Sequence, residues 1–293
     1  MHHDTQTVSR SAADGGDLFL RRWSPDPLQH TGTGEVLRGD ARGVVALVHG
    51  VHEHSGRYAW LAGQLMLRGF EVWAVDLRGH GQSAGARGAV GAFDDFLDDL
   101  DVLLEHARRA ADGRPLFLMG HSMGGLVVSR GVTAGRVSEI DGLVLSSPAL
   151  AVAAPALLQK AAPLVAKWAP RFPAGKLDLS QLAHDPAVAR AYREDPLNTV
   201  RPVAAALGWE ILQTVRAVRE QPEAFTMPLY LFHGTADAIV PVEASEWLYA
   251  AAPSDDKTLR RLDGLRHETF REAERDAILA DLGDWLTDHL PSD

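Results

Sequence analysis

The sequence contains no cysteine among its 293 residues. This absence excludes disulfide bonds, thiolate metal sites and a cysteine nucleophile, and it fits a reducing compartment, so we expect a cytoplasmic protein. Basic residues are also scarce, since 29 Lys and Arg against 39 Asp and Glu give a net charge of −10. That excess of acid argues against a nucleic-acid-binding protein, whose affinity depends on basic contacts to phosphate.

Long apolar runs are missing as well. The most apolar stretch, Pro148 to Leu158, is interrupted by Pro155 and followed by Lys160, whereas a membrane-spanning helix needs about 20 apolar residues. The N-terminal sequence lacks a basic region followed by an apolar one, so we expect no signal peptide. The glycines at 79–81 and 85–88 lack the spacing of a dinucleotide-binding loop. These observations predict a soluble globular protein.

The chain alternates short apolar segments with longer segments of helical periodicity. Near-continuous apolar strands separated by helices are typical of a parallel sheet that is covered on both faces. From Ala149 to Pro222 the alternation stops, and the sequence is helical in character with no clear strand. We therefore predict an α/β fold, the α/β-hydrolase type of doubly wound, mostly parallel sheet, with an inserted helical cap. The predicted core comprises residues 1–150 and 223–293, and the predicted cap segment comprises residues 151–222.

The predicted elements are as follows. The sequence predicts strands at Gly16 to Trp23, Gly43 to Val48, Phe70 to Val75, Pro115 to Met119, Ile140 to Ser146, Leu229 to Phe232 and Thr258 to Leu262, with a long surface loop at Ser24 to Gly43. It predicts helices at Arg57 to Arg68, Phe93 to Ala111, Met123 to Thr133 and Val242 to Ala251, and a last helix that ends at Leu290.

One chemical motif lies where a predicted strand meets a predicted helix. The segment Gly120-His121-Ser122-Met123-Gly124 has the pattern G-x-S-x-G. Chance alone produces this pattern in roughly one chain in ten of this length, so its context matters more than the pattern. At a strand–helix elbow the turn is tight, and the serine hydroxyl projects from the top of the sheet near the positive end of the helix dipole. This context predicts that Ser122 is a nucleophile.

A serine nucleophile needs a base to remove its proton, and the base needs an acid to orient it. In a fold with this elbow the chain order is serine, acid, histidine, each at the carboxyl end of a strand. Asp237 and His267 follow the last two predicted strands in that order. Taken singly, a loop aspartate is usually a turn former, and one histidine of 13 is unremarkable. Order and placement together predict a triad of Ser122, Asp237 and His267.

Acyl transfer also needs backbone N–H groups that stabilise the negative oxygen of the tetrahedral intermediate. One donor is expected from Met123, the residue after the nucleophile, and the other from the loop after an early strand. The strand at Gly43 to Val48 ends at His49-Gly50-Val51. The N–H of Val51 is therefore the expected second donor of an oxyanion hole.

The motifs together resemble those of the monoacylglycerol lipase and lysophospholipase family of the α/β-hydrolases. The similarity runs from about Val44 to Asp284, and its most specific part is the stretch from His49 to Tyr58. The segments that carry it are His49 to Tyr58, Asp76 to Ser83, Gly120 to Gly125, Ser147 to Leu150, Asp195 to Leu197, His233 to Pro241 and His267-Glu268.

The resemblance implies a serine hydrolase that needs no cofactor and no metal and cleaves a single-chain lipid ester. It implies that Glu53, Arg57 and His121 lie around the oxyanion and the alcohol end of the site, and that Tyr192 helps to line the glycerol pocket. Glu53 and Arg57 have an alternative role as a purely structural pair. The cap sequence departs most from the family, so it does not define the preferred acyl chain.

Charge is distributed unevenly in the predicted cap. No acidic residue occurs from Gly142 to Leu177, and four apolar residues of this region recur with the spacing of one helix face. This pattern predicts a lid that rests on anionic lipid at the inner membrane surface. The alternative is an ordinary amphipathic helix packed on the domain, because prolines at 155, 163 and 170 limit helix length. The cations are Lys160, Lys167, Arg171 and Lys176, and the apolar residues are Leu157, Leu164, Val165 and Trp168.

An acidic run near the start of one predicted helix invites a metal-site interpretation. Divalent cation sites need converging oxygens rather than a linear row, and acids favour the first turn of a helix, so a solvated helix face is expected instead. The run consists of Asp94, Asp95, Asp98, Asp99 and Asp101.

Three other substrate classes and one non-catalytic function remain open from the sequence. The triad suits a lysophospholipid, a soluble short-chain ester or an amide as well as a monoacylglycerol, because one fold hosts many chemistries. A non-catalytic binding protein on the same fold would not need the three residues that the triad requires. Haloalkane dehalogenation is disfavoured because its nucleophile would be an aspartate at the position of Ser122. The sequence leaves the oligomeric state undefined.

Overall fold

A central sheet of eight strands organises the protein. The structure, a computed structural model, describes residues 2–9, 16–25, 41–152 and 156–291. The strand order in the sheet is β1-β2-β4-β3-β5-β6-β9-β10; β2 is antiparallel to both of its neighbours, β1 and β4, and all other neighbouring strands are parallel. The strands are β1 His2–Ser9, β2 Asp17–Ser24, β3 Gly43–Val48, β4 Phe70–Asp76, β5 Leu116–His121, β6 Gly142–Ser146, β7 Pro173–Gly175, β8 Val203–Ala204, β9 Leu229–Gly234 and β10 Lys257–Leu262.

Helices cover both faces of this sheet. In β3 every residue is buried, and alternate side chains enter different cores: Val44 and Ala46 pack with α2 and α3, whereas Val45 and Leu47 pack with α1 and α8. This alternation is the two-residue period of a strand buried on both faces. The helices are α1 Ala59–Leu67, α2 Asp95–Ala111, α3 Met123–Thr133, α4 Ala156–Trp168, α5 Pro186–Glu194, α6 Ala205–Arg219, α7 Glu243–Ala251 and α8 Arg275–Asp288.

The parallel pairing gathers the loops that carry the motifs. The strands β3, β5, β6, β9 and β10 run in one direction, so their carboxyl ends lie along one edge of the sheet. In sheets of this kind ligands bind beyond that edge. The predicted doubly wound α/β fold is confirmed.

The cap segment leaves the sheet after β6 and returns at β9. Within it α4 packs on α6, and α6 packs on α3 of the core. The expectation of no strand in this segment is wrong, because β7 and β8 form a small antiparallel pair. Strands of three and two residues are too short to show a hydrophobic period. The helix α4 contains Pro163 and ends at Trp168, shortly before the next proline.

Two further expectations need correction or fall outside the structure. The strand β1 was not expected, because its sequence HHDTQTVS has no apolar alternation, yet it pairs along its whole length with β2. Most of the expected surface loop, residues 26–40, lies outside the described residues. None of the helices in the described ranges combines the length and the hydropathy that a membrane crossing would need.

The acidic run is not a purely solvated face. Asp99 is fully buried, and its carboxylate accepts hydrogen bonds from the backbone N–H of Arg78 (2.8 Å) and from the Arg78 guanidinium (2.8 Å from Nη2). The helical period explains this, since position 99 shares a face with the buried Phe96 and Leu103. The expectation was therefore wrong for Asp99, which anchors the loop after β4 to α2.

Candidate active site

Ser122 occupies a strained turn between β5 and α3. Its backbone has φ +53° and ψ −121°, a left-handed φ that non-glycine residues seldom adopt. The N–H of Ser122 donates to the carbonyl of Ser146 at the end of β6 (3.0 Å), and its carbonyl accepts from Ala149 (3.0 Å). These bonds hold the elbow in place against its strain.

The flanking glycines permit this turn because the backbone closes on itself. A Cβ at Gly120 would lie 2.6 Å from the carbonyl oxygen of Gly124, and a Cβ at Gly124 would overlap the carbonyl oxygens of Val48 and His49 at the end of β3. The elbow and the loop after β3 are therefore in backbone contact. We call that loop, residues 49–54, the oxyanion loop.

The structure brings Asp237 and His267 together. Asp237 follows β9, His267 follows β10, and His267 Nδ1 lies 2.6 Å from Asp237 Oδ2. Because the carboxylate can only accept, Nδ1 carries the proton and Nε2 is left unprotonated in the neutral ring. Both side chains are buried. This is the tautomer that a general base acting through Nε2 requires.

The surroundings of Asp237 keep it ionised. Burial works against the charge, but the attraction of His267 and hydrogen bonds from His233 and His267 outweigh it and hold the pKa of Asp237 well below its usual range. The N–H of Val240 also donates to Oδ1 (2.9 Å). A permanently ionised carboxylate can stabilise a positive charge on His267 during a reaction.

His267 contacts residues that adjoin the elbow. The ring of His121, which precedes Ser122, lies 4.9 Å from the ring of His267, and the hydroxyl of Ser147 donates to the His267 carbonyl (2.9 Å). Among the described residues the Ser122 hydroxyl has no hydrogen-bond partner. Bonds between catalytic groups often tighten only when substrate is bound.

Two backbone N–H groups belong to the elbow and to the oxyanion loop beside it. Within the described ranges neither the N–H of Val51 nor that of Met123 donates a hydrogen bond to another residue. Met123 opens α3, where the helix dipole favours a nearby negative charge. A Cβ at Gly50 would lie 3.2 Å from the Cβ of Ser122, so the oxyanion loop passes directly beside the nucleophile position. Both N–H groups are therefore without an acceptor among the described residues, and the oxyanion hole remains a prediction.

Glu53 and Arg57 form part of a buried ionic network. Glu53 Oε1 accepts from the N–H of Gly50 (2.6 Å) and from the hydroxyl of Tyr58 (2.6 Å), and Arg57 pairs with its other oxygen. Arg57 also donates to both oxygens of Glu268 at 2.7 and 2.8 Å. The network joins the oxyanion loop to the residue that follows His267.

The charges of this network support each other. Burial opposes the charge of Glu53 and of Glu268, but Arg57 outweighs it and lowers the pKa of both carboxyls. Burial likewise opposes the charge of Arg57, but the two carboxylates raise its pKa. Glu53 therefore lies in the oxyanion loop, Arg57 follows it closely, and the two also form the ion pair that the sequence left as an alternative.

His121 and Tyr192 lie near this network. Burial first, and then repulsion from His267, lowers the pKa of His121 to about 4, so this ring is neutral near pH 7. Its Nδ1 lies 3.1 Å from the hydroxyl of Ser146. The hydroxyl of Tyr192 donates to the carbonyl of His52 (2.7 Å), and the Arg57 guanidinium lies over the Tyr192 ring at 4.6 Å.

Three residues with a place in this arrangement were not predicted as site residues. His233 bonds to Asp237, Glu268 bonds to Arg57, and His49 holds the oxyanion loop, since its Nδ1 lies 2.7 Å from the carbonyl of Gly50. The available signal was their position, because each stands at or just after a strand end within a segment that carries a motif. None has a spacing that distinguishes it from a structural residue.

His49 and His52 of the oxyanion loop form a buried group with His80, which follows β4. Ring centroids lie 5.3 Å apart for His49 and His80 and 6.3 Å apart for His52 and His80. Burial lowers the pKa of His52 to about 4 and, with repulsion from His49, that of His80 to about 3. In the described parts of the chain no group of three or more His, Asp or Glu residues is placed to hold a metal ion.

A cavity of about 660 Å³ opens in the cap segment. Its wall includes Thr199, whose N–H donates to the carbonyl of His52 (2.9 Å), so the cavity adjoins the oxyanion loop. Its lining carries three cations and one carboxylate together with apolar side chains. The lining residues are Lys176, Leu177, Asp178, Leu179, Arg193, Thr199, Val200 and Arg201.

Comparison with known proteins identifies the family. Residues 39–274 match the family model described as serine aminopeptidase, S33. Over 92% of this chain and 92% of its own length, the monoacylglycerol lipase of Mycolicibacterium smegmatis is 33% identical. The chain belongs to the monoacylglycerol lipase family of α/β-hydrolases. The predictions of fold, family and hydrolase class are thereby confirmed.

Two further similar proteins agree with this assignment. The crystal structure of a Paleococcus ferrophilus monoacylglycerol lipase has a TM-score of 0.79 and 32% identity, covering 93% of this chain and 99% of that one. The phospholipase YtpA of Bacillus subtilis is 33% identical over 80% of this chain and 91% of its own length. The similarity therefore extends through both the core and the cap segment.

Proposed function

We propose that this protein hydrolyses monoacylglycerols through an acyl-enzyme intermediate on Ser122. The observation that carries the proposal is the bond between His267 Nδ1 and Asp237 Oδ2, at the same sheet edge where Ser122 sits on a strained elbow. The relationship to monoacylglycerol lipases supports the substrate class. Nothing in the mechanism requires a cofactor.

The reaction proceeds in two halves. His267 Nε2 takes the proton of the Ser122 hydroxyl as its oxygen attacks the ester carbonyl, and the N–H groups of Val51 and Met123 stabilise the resulting oxyanion. His267 then gives that proton to the departing glycerol oxygen, which leaves an acyl ester on Ser122. Water, deprotonated by His267, hydrolyses this ester and regenerates the hydroxyl. Asp237 stays ionised throughout and stabilises the imidazolium.

The residues beside the oxyanion loop bind the alcohol part of the substrate in this proposal. His121, neutral near pH 7, offers a ring nitrogen near the leaving-group oxygen. Arg57 lies over the ring of Tyr192, and Glu53 accepts a hydrogen bond from the N–H of Gly50 and so holds the loop that carries Val51. Their positions support the assignment, because each contacts a neighbour of the proposed oxyanion hole.

The test is the Ser122→Ala variant. We expect wild-type folding and a loss of monoacylglycerol and p-nitrophenyl ester hydrolysis by about 10⁴-fold or more, since residues of such a triad act as a unit. A fluorophosphonate probe should label the wild-type protein at Ser122 and leave the variant unlabelled. A wild-type rate in Ser122→Ala would remove the mechanism, and an unlabelled wild-type protein would favour a non-catalytic binding protein.

We further propose that residues 151–222 act as a cap that contacts membrane lipid. Leu164 is 63% exposed and Trp168 is 75% exposed on α4, and the exposed Phe172 follows the helix. Lys160 and Lys167 share one side of α4, and no acid lies between Gly142 and Leu177. Leu157, expected in the apolar set, has a side chain outside the described residues. With the absence of cysteine, this supports a cytoplasmic protein peripheral to the inner membrane surface.

Vesicle co-sedimentation tests the cap proposal. At low salt we expect more protein on anionic than on neutral vesicles, and less binding by the variant Leu164→Ser/Trp168→Ser. The matched control is Leu67→Ser, because Leu67 is a comparably exposed apolar residue (63%) at the end of α1. The proposal would be contradicted if the wild type bound equally to both vesicle types. It would also be contradicted if Leu67→Ser lost as much vesicle binding as Leu164→Ser/Trp168→Ser.

A lysophospholipid is the second candidate substrate. The observation that favours it is the cavity beside the oxyanion loop, where Lys176, Arg193 and Arg201 line a space that also has apolar walls. Within the described ranges none of these three cations forms an ion pair with a neighbour. A phosphate group on a single acyl chain would supply the missing anion. The relationship to a phospholipase agrees with this candidate.

A substrate panel separates the two candidates. We expect monoacylglycerol to be turned over faster than lysophosphatidylcholine or an aminoacyl arylamide. If the cavity binds phosphate, Arg193→Gln/Arg201→Gln lowers kcat/KM for the lysophospholipid by about tenfold and leaves monoacylglycerol turnover unchanged. Arg109→Gln, which changes an exposed cation on α2, is the control. A variant that affects both substrates equally would argue against a headgroup site.

A further inference from the structure

The carboxylate of Asp237 accepts hydrogen bonds from two histidines rather than from one. His267 Nδ1 lies 2.6 Å and His233 Nε2 lies 3.1 Å from the same oxygen, Oδ2. The other oxygen, Oδ1, accepts from the N–H groups of Ile239 (2.8 Å) and Val240 (2.9 Å). The carboxylate is therefore held by four donors, of which two are backbone and two are side chains.

The contacts of His233 determine its tautomer. Its Nε2 also lies 3.0 Å from the carbonyl of Val240, so both neighbours of Nε2 are acceptors and Nε2 must carry a proton. Its Nδ1 lies 2.7 Å from the hydroxyl of Ser245 in α7, a group that can donate. A neutral ring with Ser245 donating to Nδ1 satisfies every contact. His233 is completely buried, so water cannot replace any of these partners.

His233 bonds to a member of the proposed triad but not to the reacting groups themselves. It stands in β9, four residues before Asp237, and its hydrogen-bond partners in the described part of the chain are Ser245, Asp237 and Val240 rather than Ser122 or the oxyanion loop. Its ring fills the space between α7 and the turn that carries Asp237. Any effect of His233 on catalysis must therefore pass through Oδ2 of Asp237.

We propose that His233 is a positioning residue that orients the Asp237 carboxylate and weakens its pull on His267. The bond from His233 fixes the rotation of the carboxylate, so that Oδ2 faces His267 Nδ1. It also takes up part of the negative charge on the oxygen that His267 uses. His267 then returns its proton to the leaving group more readily than it would beside an unshared carboxylate. This inference rests on the proposed role of Asp237 and His267.

Two amide variants distinguish the effect of the hydrogen bond to Asp237 from the effect of having any polar side chain at position 233. Gln places an N–H near the position of Nε2, so His233→Gln keeps a donor to Asp237. Asn is shorter and places its amide near the position of Nδ1, so His233→Asn keeps the contact to Ser245 but does not reach Asp237. Both variants bury one amide at the same site, and thermal unfolding shows whether each is folded.

The measurement is the pH profile of kcat/KM for an ester substrate. His233→Asn should lower kcat/KM by about tenfold and move the acid limb, which reports protonation of the base, to higher pH by about half a unit. The shift is upward because the unshared carboxylate attracts a proton on His267 more strongly. His233→Gln should stay within about threefold of the wild type, with an unchanged acid limb. His121, the other titratable ring in contact with His267, is the same in both variants.

Two outcomes would overturn the inference. The first is that the two folded variants have the same kcat/KM and the same acid limb of the pH profile. The second is that His233→Asn has a lowered kcat/KM but an acid limb at the same pH as in the wild type. Fluorophosphonate labelling of the wild type and of Ser122→Ala distinguishes this failure from that of the proposed function. If Ser122 is labelled normally and the two His233 variants have the same kinetics, only the proposed role of His233 is contradicted.

Discussion

Two serines in this chain occupy the same sequence pattern, and only one of them lies at an elbow. Gly81-Gln82-Ser83-Ala84-Gly85 is also G-x-S-x-G. Ser83 is buried in the loop after β4, where its hydroxyl donates to the carbonyl of Asp76 and accepts from the N–H of Phe19 (2.9 Å). The hydroxyl of Ser122 has no such partners among the described residues. The backbone around each serine, not the pattern, decides its chemistry.

At the residue scale the close approach at Gly124 gives a direct prediction. In Gly124→Ala the new Cβ would overlap the carbonyls of Val48 and His49, so the elbow and the oxyanion loop must move apart. We expect kcat/KM to fall by about 100-fold and the free energy of unfolding to fall by about 2 kcal/mol or more. The control is Gly175→Ala, where nothing lies near the added Cβ. Steady-state kinetics and urea unfolding measure both effects; wild-type activity in Gly124→Ala would contradict the geometry.

At the scale of elements the ionic network ties two loops together. Arg57, in the turn that precedes α1, is bonded to Glu53 of the oxyanion loop and to Glu268 after β10. A buried guanidinium between two carboxylates is stable only while all three remain charged. The network therefore makes the relative position of the two loops depend on one side chain.

Removal of Arg57 should change how stability depends on pH. Arg57 lowers the pKa of Glu53 and Glu268, so their contribution is present above the unfolded pKa of about 4.3 and is lost as the pH falls further. In Arg57→Met the uncompensated carboxyls favour protonation, and stability falls as the pH rises. We expect a loss of about 3–5 kcal/mol at pH 7 that shrinks towards pH 4.5, measured by urea unfolding.

The control for that experiment is Arg261→Gln, which removes an exposed partner of Glu246. Its effect should stay within about 0.5 kcal/mol at both pH values, because exposed ion pairs contribute little. A loss in Arg57→Met that does not change with pH would mean that packing, and not charge, is what Arg57 supplies.

At the scale of the whole molecule the cap segment contacts the oxyanion loop in addition to packing on α3. The carbonyl of His52 in the oxyanion loop accepts hydrogen bonds from the Tyr192 hydroxyl and from the N–H of Thr199. In the same loop, His54 Nε2 lies 2.8 Å from a carboxylate oxygen of Asp195. His52 has a left-handed φ of +63°, a conformation that these contacts hold. Movement of the cap segment and the geometry of the oxyanion loop are thus linked.

Tyr192→Phe tests this linkage. The variant removes one bond to the carbonyl of His52 and keeps the ring beneath Arg57. We expect kcat/KM for monoacylglycerol to fall by about fivefold while the free energy of unfolding falls by only about 1 kcal/mol. Tyr249→Phe is the control, because that hydroxyl is exposed and bonds to no described residue. An unchanged kcat/KM in Tyr192→Phe would separate the cap from the oxyanion loop.

Much of the fold and of the candidate site was predictable for local reasons. Apolar runs such as Gly43–Val48 define buried strands, and the positions of Ser122, Asp237 and His267 after strands follow from those runs. The strand β1 was not predictable, because a polar segment becomes a strand only when β2 offers it an edge. The same holds for Asp99, whose burial depends on Arg78 arriving from another loop.

The sequence by itself determined the alternation of strands and helices in the core from β2 onward, the glycines of the elbow and the residue types that a serine hydrolase needs. These are local properties, because hydrophobic period and turn chemistry act over a few neighbouring positions. The tertiary structure decided which side chains meet: Arg57 and Glu268 are 211 positions apart, and His233 shares one oxygen with a histidine from another strand end. Such contacts depend on strand register and on the packing of loops at the sheet edge, which no local pattern encodes.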